Sequence, residues 1–404
     1  MHWRRNLYAV TAAGFIGFTG FTLVMPFLPL YFEQLGVADV GERALWSGVS
    51  LGITPAITAF MAPFWGRLAD VYGRKIMVQR SLVSFVFVMS AMAFVTEPWH
   101  VFALRAVQGL FAGYGALTLT MAADVAPPDK TAYAIGFVQT AQRIGPALGP
   151  VIGGVVAGAV GLRHSFFVTA SFYAAAVFVV GFGYDERSVL KRQDAGANTR
   201  MTFRSVLAFE HFLLLMVVIF GLQLVDRSFG PVLPLFVERL GAPQDRVPLI
   251  AGLLFSISAA AGALGNNLAG PLMRRAGTRK IIAGACGTAA LGVGGYLLAG
   301  NAWWLTVPTA IFGVAIGCAT TIAYTAASSI IPSGARGSGF GLLTTASLVG
   351  LAVSPIASGL LGATSIRAVF LVDALILGTL ALVVSRLMIT APAPRTESLP
   401  TEEI

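Results

Sequence analysis

The sequence predicts an all-α membrane protein, with twelve transmembrane helices in two pseudo-symmetric six-helix bundles. Three observations carry that expectation. First, 56% of the 404 residues are hydrophobic and only 11% are charged, where a soluble domain carries about 25% charged residues. So few charges cannot cover a soluble surface. Second, twelve apolar segments can be marked, each near the ~20 residues that cross a ~30 Å hydrocarbon core. Third, a charged turn, Gly66-Arg67-Leu68-Ala69-Asp70-Val71-Tyr72-Gly73-Arg74-Lys75, returns in worn form as Gly270-Pro271-Leu272-Met273-Arg274-Arg275-Ala276-Gly277-Thr278-Arg279-Lys280. A hydrophobic chain that repeats a charged turn at half its length reads as a duplicated helical bundle.

The spans are expected near 7–32, 44–65, 76–96, 99–123, 132–160, 164–184, 210–237, 247–269, 281–299, 302–330, 338–362 and 366–388. The first is too long for a signal-peptide core and shows no small-residue cleavage site, so it is read as a retained helix. The net charge of +9 is not gathered in a patch, which argues against nucleic acid as a partner. It sorts by side. With the N-terminus inside, the outer loops hold only Arg43, Arg163, Arg239, Arg246 and Arg367, and the other loop and tail cations fall inside. That asymmetry predicts both termini in the cytoplasm of a multi-pass plasma-membrane protein. Cys286 and Cys318 both lie within apolar spans, and no ligand spacing suggests a metal site or a disulfide framework. No cofactor is expected.

The repeat extends beyond the turn. Pro26-Phe27-Leu28-Pro29-Leu30-Tyr31-Phe32-Glu33-Gln34-Leu35-Gly36 is matched by Pro231-Val232-Leu233-Pro234-Leu235-Phe236-Val237-Glu238-Arg239-Leu240-Gly241. Thr140, Gly145, Pro150 and Gly154 in the fifth span meet Thr345, Gly350, Pro355 and Gly359 in the eleventh. Six spans per half is an even number, so the repeat is parallel. The expected division is an N-terminal bundle over 1–184, a polar cytoplasmic linker over 185–205, a C-terminal bundle over 206–388 and a disordered cytoplasmic tail over 389–404.

The string from Gly66 to Lys75 resembles the signature loop between spans two and three of the major facilitator superfamily of transporters. Its halves are related by an axis along the membrane normal. The resemblance implies an inner-gate charge relay in which Gly66, Gly73 and Lys75 shape the turn. Asp70 would sit at the N-terminus of the eleventh span, near Ser338 and Gly339, with Arg74 bridging to Asp124. The second copy departs where Asp70 becomes Arg274, so the latch is expected to be asymmetric. Gly145-Pro146-Ala147-Leu148-Gly149-Pro150-Val151-Ile152-Gly153-Gly154 resembles the fifth-span signature of the drug:proton antiporters in this superfamily. Small residues at that density permit close helix approach, while the prolines remove backbone donors. Arg105, Gln108, Gly109 and Gly113 resemble the fourth-span motif, in which the arginine is implicated in proton coupling. The reading of Arg105 stays open between a bundle-facing charge and a side chain that snorkels outward.

Polar residues inside spans are candidates for a substrate cavity: Arg143 with Gln139 one turn before it, Gln108, Gln223 and Arg227. Arg143 lies eleven residues past Ala132, about 16 Å into the fifth span. Such depth marks a substrate or coupling site by default, with a structural ion pair as the alternative. Of 18 acidic residues, only Asp226 and Asp373 fall well inside apolar spans. Asp226 is the deeper and is read either as the proton carrier or as a structural partner of Arg105, Arg143 or Arg227. Asp373 is expected nearer the outer surface. The first span lacks the carboxylate usual in drug antiporters. Phe15, Phe18, Phe21, Phe111, Tyr114, Phe220, Phe229, Phe312 and Tyr324 are candidates for an apolar wall.

The resemblance implies a non-enzymatic secondary transporter, a monomer in the lipid bilayer, that exports small amphipathic or anionic compounds against protons by alternating access. An uptake symporter or a metabolite exporter of the same fold, and a non-transporting sensor, are the alternatives. An intramembrane enzyme would need a catalytic set within the bilayer, and all four histidines sit near span ends.

Overall fold

The computed structural model describes residues 2–127, 130–185, 212–331 and 336–388, with His2, Pro63, Asp70, Ala132, Ser329 and residues 336–341 described by backbone alone. The expected tail and all of the expected linker but Asp185 lie outside the described residues. Twelve helices are long and apolar enough to cross a membrane, from Trp3–Leu23 to Ile366–Leu387. Two apolar cores form. One is built from residues between Leu7 and Tyr184. The other comes from residues between Phe212 and Met388, joined by Leu30 and Ala44 from the first repeat. Between the repeats, span 2 packs along span 11 and span 5 along span 8.

Several span boundaries differ from the sequence expectation. Span 1 does not run to residue 32. Its helix, His2–Leu23, stops at a turn, and a separate short helix, Leu28–Gln34, follows with Pro29 in its first turn. The seventh span carries the same proline spacing yet stays helical from Phe212 to Arg239 with Pro231 and Pro234 inside it. One side-chain contact also distinguishes the two repeats. The Tyr31 hydroxyl donates to the Met92 carbonyl at 2.7 Å, anchoring the short helix to the end of span 3. The equivalent position in the second repeat is Phe236, which has no hydroxyl.

The charged turn is also tighter than expected. Span 2 opens on Asp39, whose side chain accepts from the Glu42 N–H at 2.8 Å, and continues as helix through Val40–Tyr72. The reversal falls on one residue, Gly73, at φ +92°, a region open to glycine at little cost. Span 3 begins at once as Arg74–Met92. Asp70 and Arg74 are thus on two different helices.

The fourth span, expected to be continuous, is broken into Pro98–Phe111 and Tyr114–Val125. The joint is Ala112-Gly113, with Gly113 at φ +136°. Carbonyls freed inside a membrane must find donors, and the joint supplies them. The Trp65 Nε1–H donates to Leu110 O at 2.7 Å and Arg80 donates to Phe111 O at 3.0 Å. The Arg80 guanidinium lies 3.3 Å over the Trp65 ring, a cation–π contact that strengthens when desolvated.

Candidate transport site and gates

The halves meet at one end of the molecule. Arg43, at the start of span 2, is 3% exposed. Its Nη1 lies 2.8 Å from Glu33 Oε2 and 3.2 Å from Glu238 Oε2. Glu33 and Glu238 are repeat-related, so one arginine from the first half holds the matching glutamates of both halves. Around this cluster the backbones are in close contact. A Cβ built at Gly48 would lie 2.7 Å from the Gly359 Cα, one at Gly52 2.6 Å from Ala352 O, and one at Gly154 2.5 Å from Pro248 O. At the other end, a Cβ at Gly66, Gly136 or Gly270 would meet nothing within 4 Å. Among the described residues the close contacts between the halves gather at the Arg43 end, and the end bearing the basic turns is the looser.

At that looser end the structure places Arg74 against Asp124, with the arginine also 3.5 Å from Thr120 O. Lys75 donates to Gly181 O at 2.8 Å and Tyr184 O at 2.6 Å, holding the last turn of the sixth span. The side chains of Asp70 and Ser338 lie outside what the structure describes, and so does the expected contact between them.

The glycine–proline string sits in the fifth-span helix Thr131–Val160, with Pro146 and Pro150 inside it. Three of its glycines face span 1. A Cβ at Gly145 would lie 2.8 Å from Phe15 O, one at Gly149 2.6 Å from Thr19 O, and one at Gly153 would run into Leu23 O. Gly154 faces span 8, and Pro150 O in turn abuts Gly252. The string fastens span 5 to its own bundle on one side and to the other half on the next.

Arg143 and Gln139 are exposed although they lie within a span. Arg143 Nη1 donates to the Asn266 side-chain oxygen at 3.1 Å, with that amide oriented to donate to Thr321 Oγ1 at 2.9 Å and Gly317 O at 2.8 Å. This contact links spans 5, 8 and 10 across the two halves, and its partner is an amide rather than the carboxylate a structural ion pair needs. Gln223 Nε2 donates to Ser347 Oγ at 2.6 Å, tying span 7 to span 11. Arg227 Nε lies 3.2 Å from Asp226 Oδ2, with both side chains about a third exposed.

Several placements left open or expected otherwise are now defined. Gln108, a cavity candidate, is fully buried, and Arg105 is 2% exposed. Arg105 Nη1 donates to Gln108 Oε1 at 3.0 Å, so both are sealed inside the first half. Arg105 does not snorkel, and no carboxylate pairs with it among the described residues. Its Nε and Nη2, with Gln108 Nε2 and the hydroxyls of Tyr114 and Tyr173, are buried without partners among the described residues. Asp373, expected near the outer surface, is 4% exposed and accepts from Ser228 Oγ at 2.5 Å. Span 12 turns that face onto span 7, which helical rise alone does not tell. Tyr114, Phe229 and Phe312 do not form an apolar wall. Phe229 and Phe312 pack at 5.0 Å between ring centroids, and Tyr114 packs on Phe85 at 5.9 Å; all three are within their own bundles.

Comparison with known proteins agrees with this geometry. The profile of the Major Facilitator Superfamily matches residues 10–350 and 297–404. The chain belongs to the major facilitator superfamily. Among relatives of this superfamily member is the multidrug resistance protein MdtG of Escherichia coli. The protein from strain K12 / DH10B is 33% identical over 282 residues, 70% of this chain and 69% of MdtG. The MdtG of strain 536 / UPEC gives the same identity and coverage. Solved structures share the fold. A bacterial homologue of the human lysosomal transporter Spinster, inward-facing and occupied, superposes with TM-score 0.76 at 15% identity, over 96% of this chain and 98% of that one. The nucleoside transporter NupG gives 0.72 at 14%, over 94% and 100%.

The Arg43 cluster, the Asn266 contact and the Arg80–Trp65 cap were missed in the sequence of this superfamily member. Only the first had a legible signal: Glu33 and Glu238 recur at matching places, and an outer arginine stands between them in the chain.

Proposed function

We propose that this transporter exports small amphipathic or anionic compounds in exchange for protons, acting as a monomer with both termini in the cytoplasm. The observation that supports the reading best is the seat of the fifth-span glycine–proline string, within a chain one third identical to proteins named for multidrug resistance. The basic turns put the looser end at the cytoplasm, which makes this conformation inward-facing. Alternating access then requires the halves to part at Arg43 while the basic-turn end closes. Substrate would reach Arg143 and Gln139 from the open end, where the guanidinium exchanges its amide partner for an anionic or polar group of the substrate.

Coupling is assigned to Asp226 and Arg227. Protonating the carboxylate cancels their pairing, frees the guanidinium and biases the equilibrium between the two faces. Asp226→Asn is expected to lose gradient-driven accumulation in proteoliposomes and to keep substrate exchange. Asp373→Asn is expected to keep both, because an amide oxygen still accepts from Ser228. Pumping with an unchanged pH dependence in Asp226→Asn would refute the assignment. The wider reading is tested by purified protein in liposomes with an imposed pH gradient, with ethidium as the amphipathic probe and a carboxylate-bearing dye as the anionic one. Accumulation on the side of the vesicle facing the Arg43 end supports export. Movement only in the opposite sense would favour uptake.

A further inference from the structure

Spans 8, 9 and 10 leave a cleft of about 610 Å³ on the flank of the second half. Leu268 and Leu272 line it from span 8, Gly284 from span 9, and Ala310 and Val314 from span 10. Apart from Thr288 and Lys280 its walls carry no polar side-chain nitrogen or oxygen. From Lys280 to Thr288 it runs about 12 Å along span 9, close to one leaflet of a ~30 Å core. Leu268 and Ile311 on its rims are 47% and 42% exposed, so it opens toward the bilayer.

Its polar end carries charge. Lys280 is exposed, and its ammonium has no hydrogen bond or ion pair among the described residues. The first repeat shows what that position otherwise does: Lys75 is consumed by the carbonyls ending span 6. In the second repeat that task passes to Arg279, which donates to Ser385 O at the end of span 12. Lys280 is thereby released to the cleft. Arg274 and Arg275, exposed and without ion pairs among the described residues, stand beside Ala276 at the same mouth.

We infer that this cleft binds an anionic phospholipid of the adjacent leaflet, with an acyl chain in the groove and the phosphate at Lys280. An apolar groove alone would accept any lipid chain; free cations at the mouth add selection for negative charge. The inference concerns the outer flank of spans 8 to 10 and is independent of the transport site.

The test uses the full chain in nanodiscs holding equal phosphatidylglycerol and phosphatidylcholine, with retained lipid counted by native mass spectrometry. The wild type is expected to retain phosphatidylglycerol preferentially. Lys280→Ala should lower that preference about fivefold, the effect of roughly one near-surface cation. A Cβ at Gly284 meets no atom within 4 Å, so Gly284→Phe can fold, fill the groove and abolish retention of both lipids. Arg246→Ala, exposed at the opposite end, should change nothing. The inference is overturned if Lys280→Ala and Gly284→Phe both retain lipid as the wild type does. It is also overturned if Arg246→Ala lowers the preference as much as Lys280→Ala. Loss of ethidium transport in Gly284→Phe with lipid retention intact would assign the cleft to substrate and overturn it equally.

Discussion

Leucine at position 153 is expected to abolish export, and leucine at 149 nearly so, while leucine at 136 in the same helix is tolerated. The contrast comes from what each backbone touches. A Cβ at Gly153 runs into Leu23 O and one at Gly149 sits 2.6 Å from Thr19 O, whereas one at Gly136 meets nothing within 4 Å. Neither carbonyl can retreat without moving span 1. Overpacking of this kind costs about 1–3 kcal/mol or more, and the larger consequence is geometric. Gly154 next door seats span 5 against Pro248 of span 8, so pushing span 5 off span 1 also alters the contact between halves. Ethidium export normalised to membrane content, with melting of each variant in detergent, checks this. If Gly136→Leu is as damaging as Gly153→Leu, general intolerance of bulk in span 5 replaces this explanation.

Arg43→Ala should unseal the end where the halves now meet. Arg43 is almost fully buried and joins Glu33 to Glu238, so its removal leaves two repeat-related carboxylates facing each other without a cation. The glutamates are partly exposed, with side chains at 39% and 20%, which puts the loss at ~1–2 kcal/mol, above an exposed pair and below a fully buried one. That energy alters the ratio of sealed to open forms by roughly 5- to 30-fold. Ser47, one turn along span 2 and fully buried, offers a probe as Ser47→Cys. An impermeant maleimide added to the Arg43 side should label the Arg43→Ala background faster by that factor. An unchanged labelling rate would mean that backbone packing alone seals this end.

The number of spans was legible because crossing a hydrocarbon core sets a length that apolar runs either reach or miss. Their ends were not, because they depend on tertiary partners. The two proline-bearing repeats show this directly: similar strings break in span 1 and stay helical in span 7, and only the first carries a hydroxyl, on Tyr31, that bonds span 3. The glycine–proline string could be read as a close-packing device from residue size, though not which neighbours it meets. Helical rise left the facing of Asp373 and of Arg105 open, since rise says nothing about which way a face turns. The pairing of Arg143 with Asn266 joins residues far apart in sequence and leaves no periodic trace.

The joint at Ala112-Gly113 divides the first half into two pieces. Thr54 and Thr58 of span 2 donate to Arg105 O at 2.9 Å and Gly109 O at 3.3 Å, so the upper piece of span 4 rides with span 2. The lower piece is tied to span 5, where Gln142 Nε2 donates to Gly115 O at 3.1 Å and Thr118 Oγ1 at 2.9 Å. Span 3 grips both, through Arg80 on Phe111 O above the joint and Arg74 on Asp124 below it. It acts as a splint across a fracture. The arginine of the charged turn therefore has a second mechanical duty: it keeps two fragments of one strut collinear, and a bundle that lost it would flex at its own elbow before it rocked against its twin.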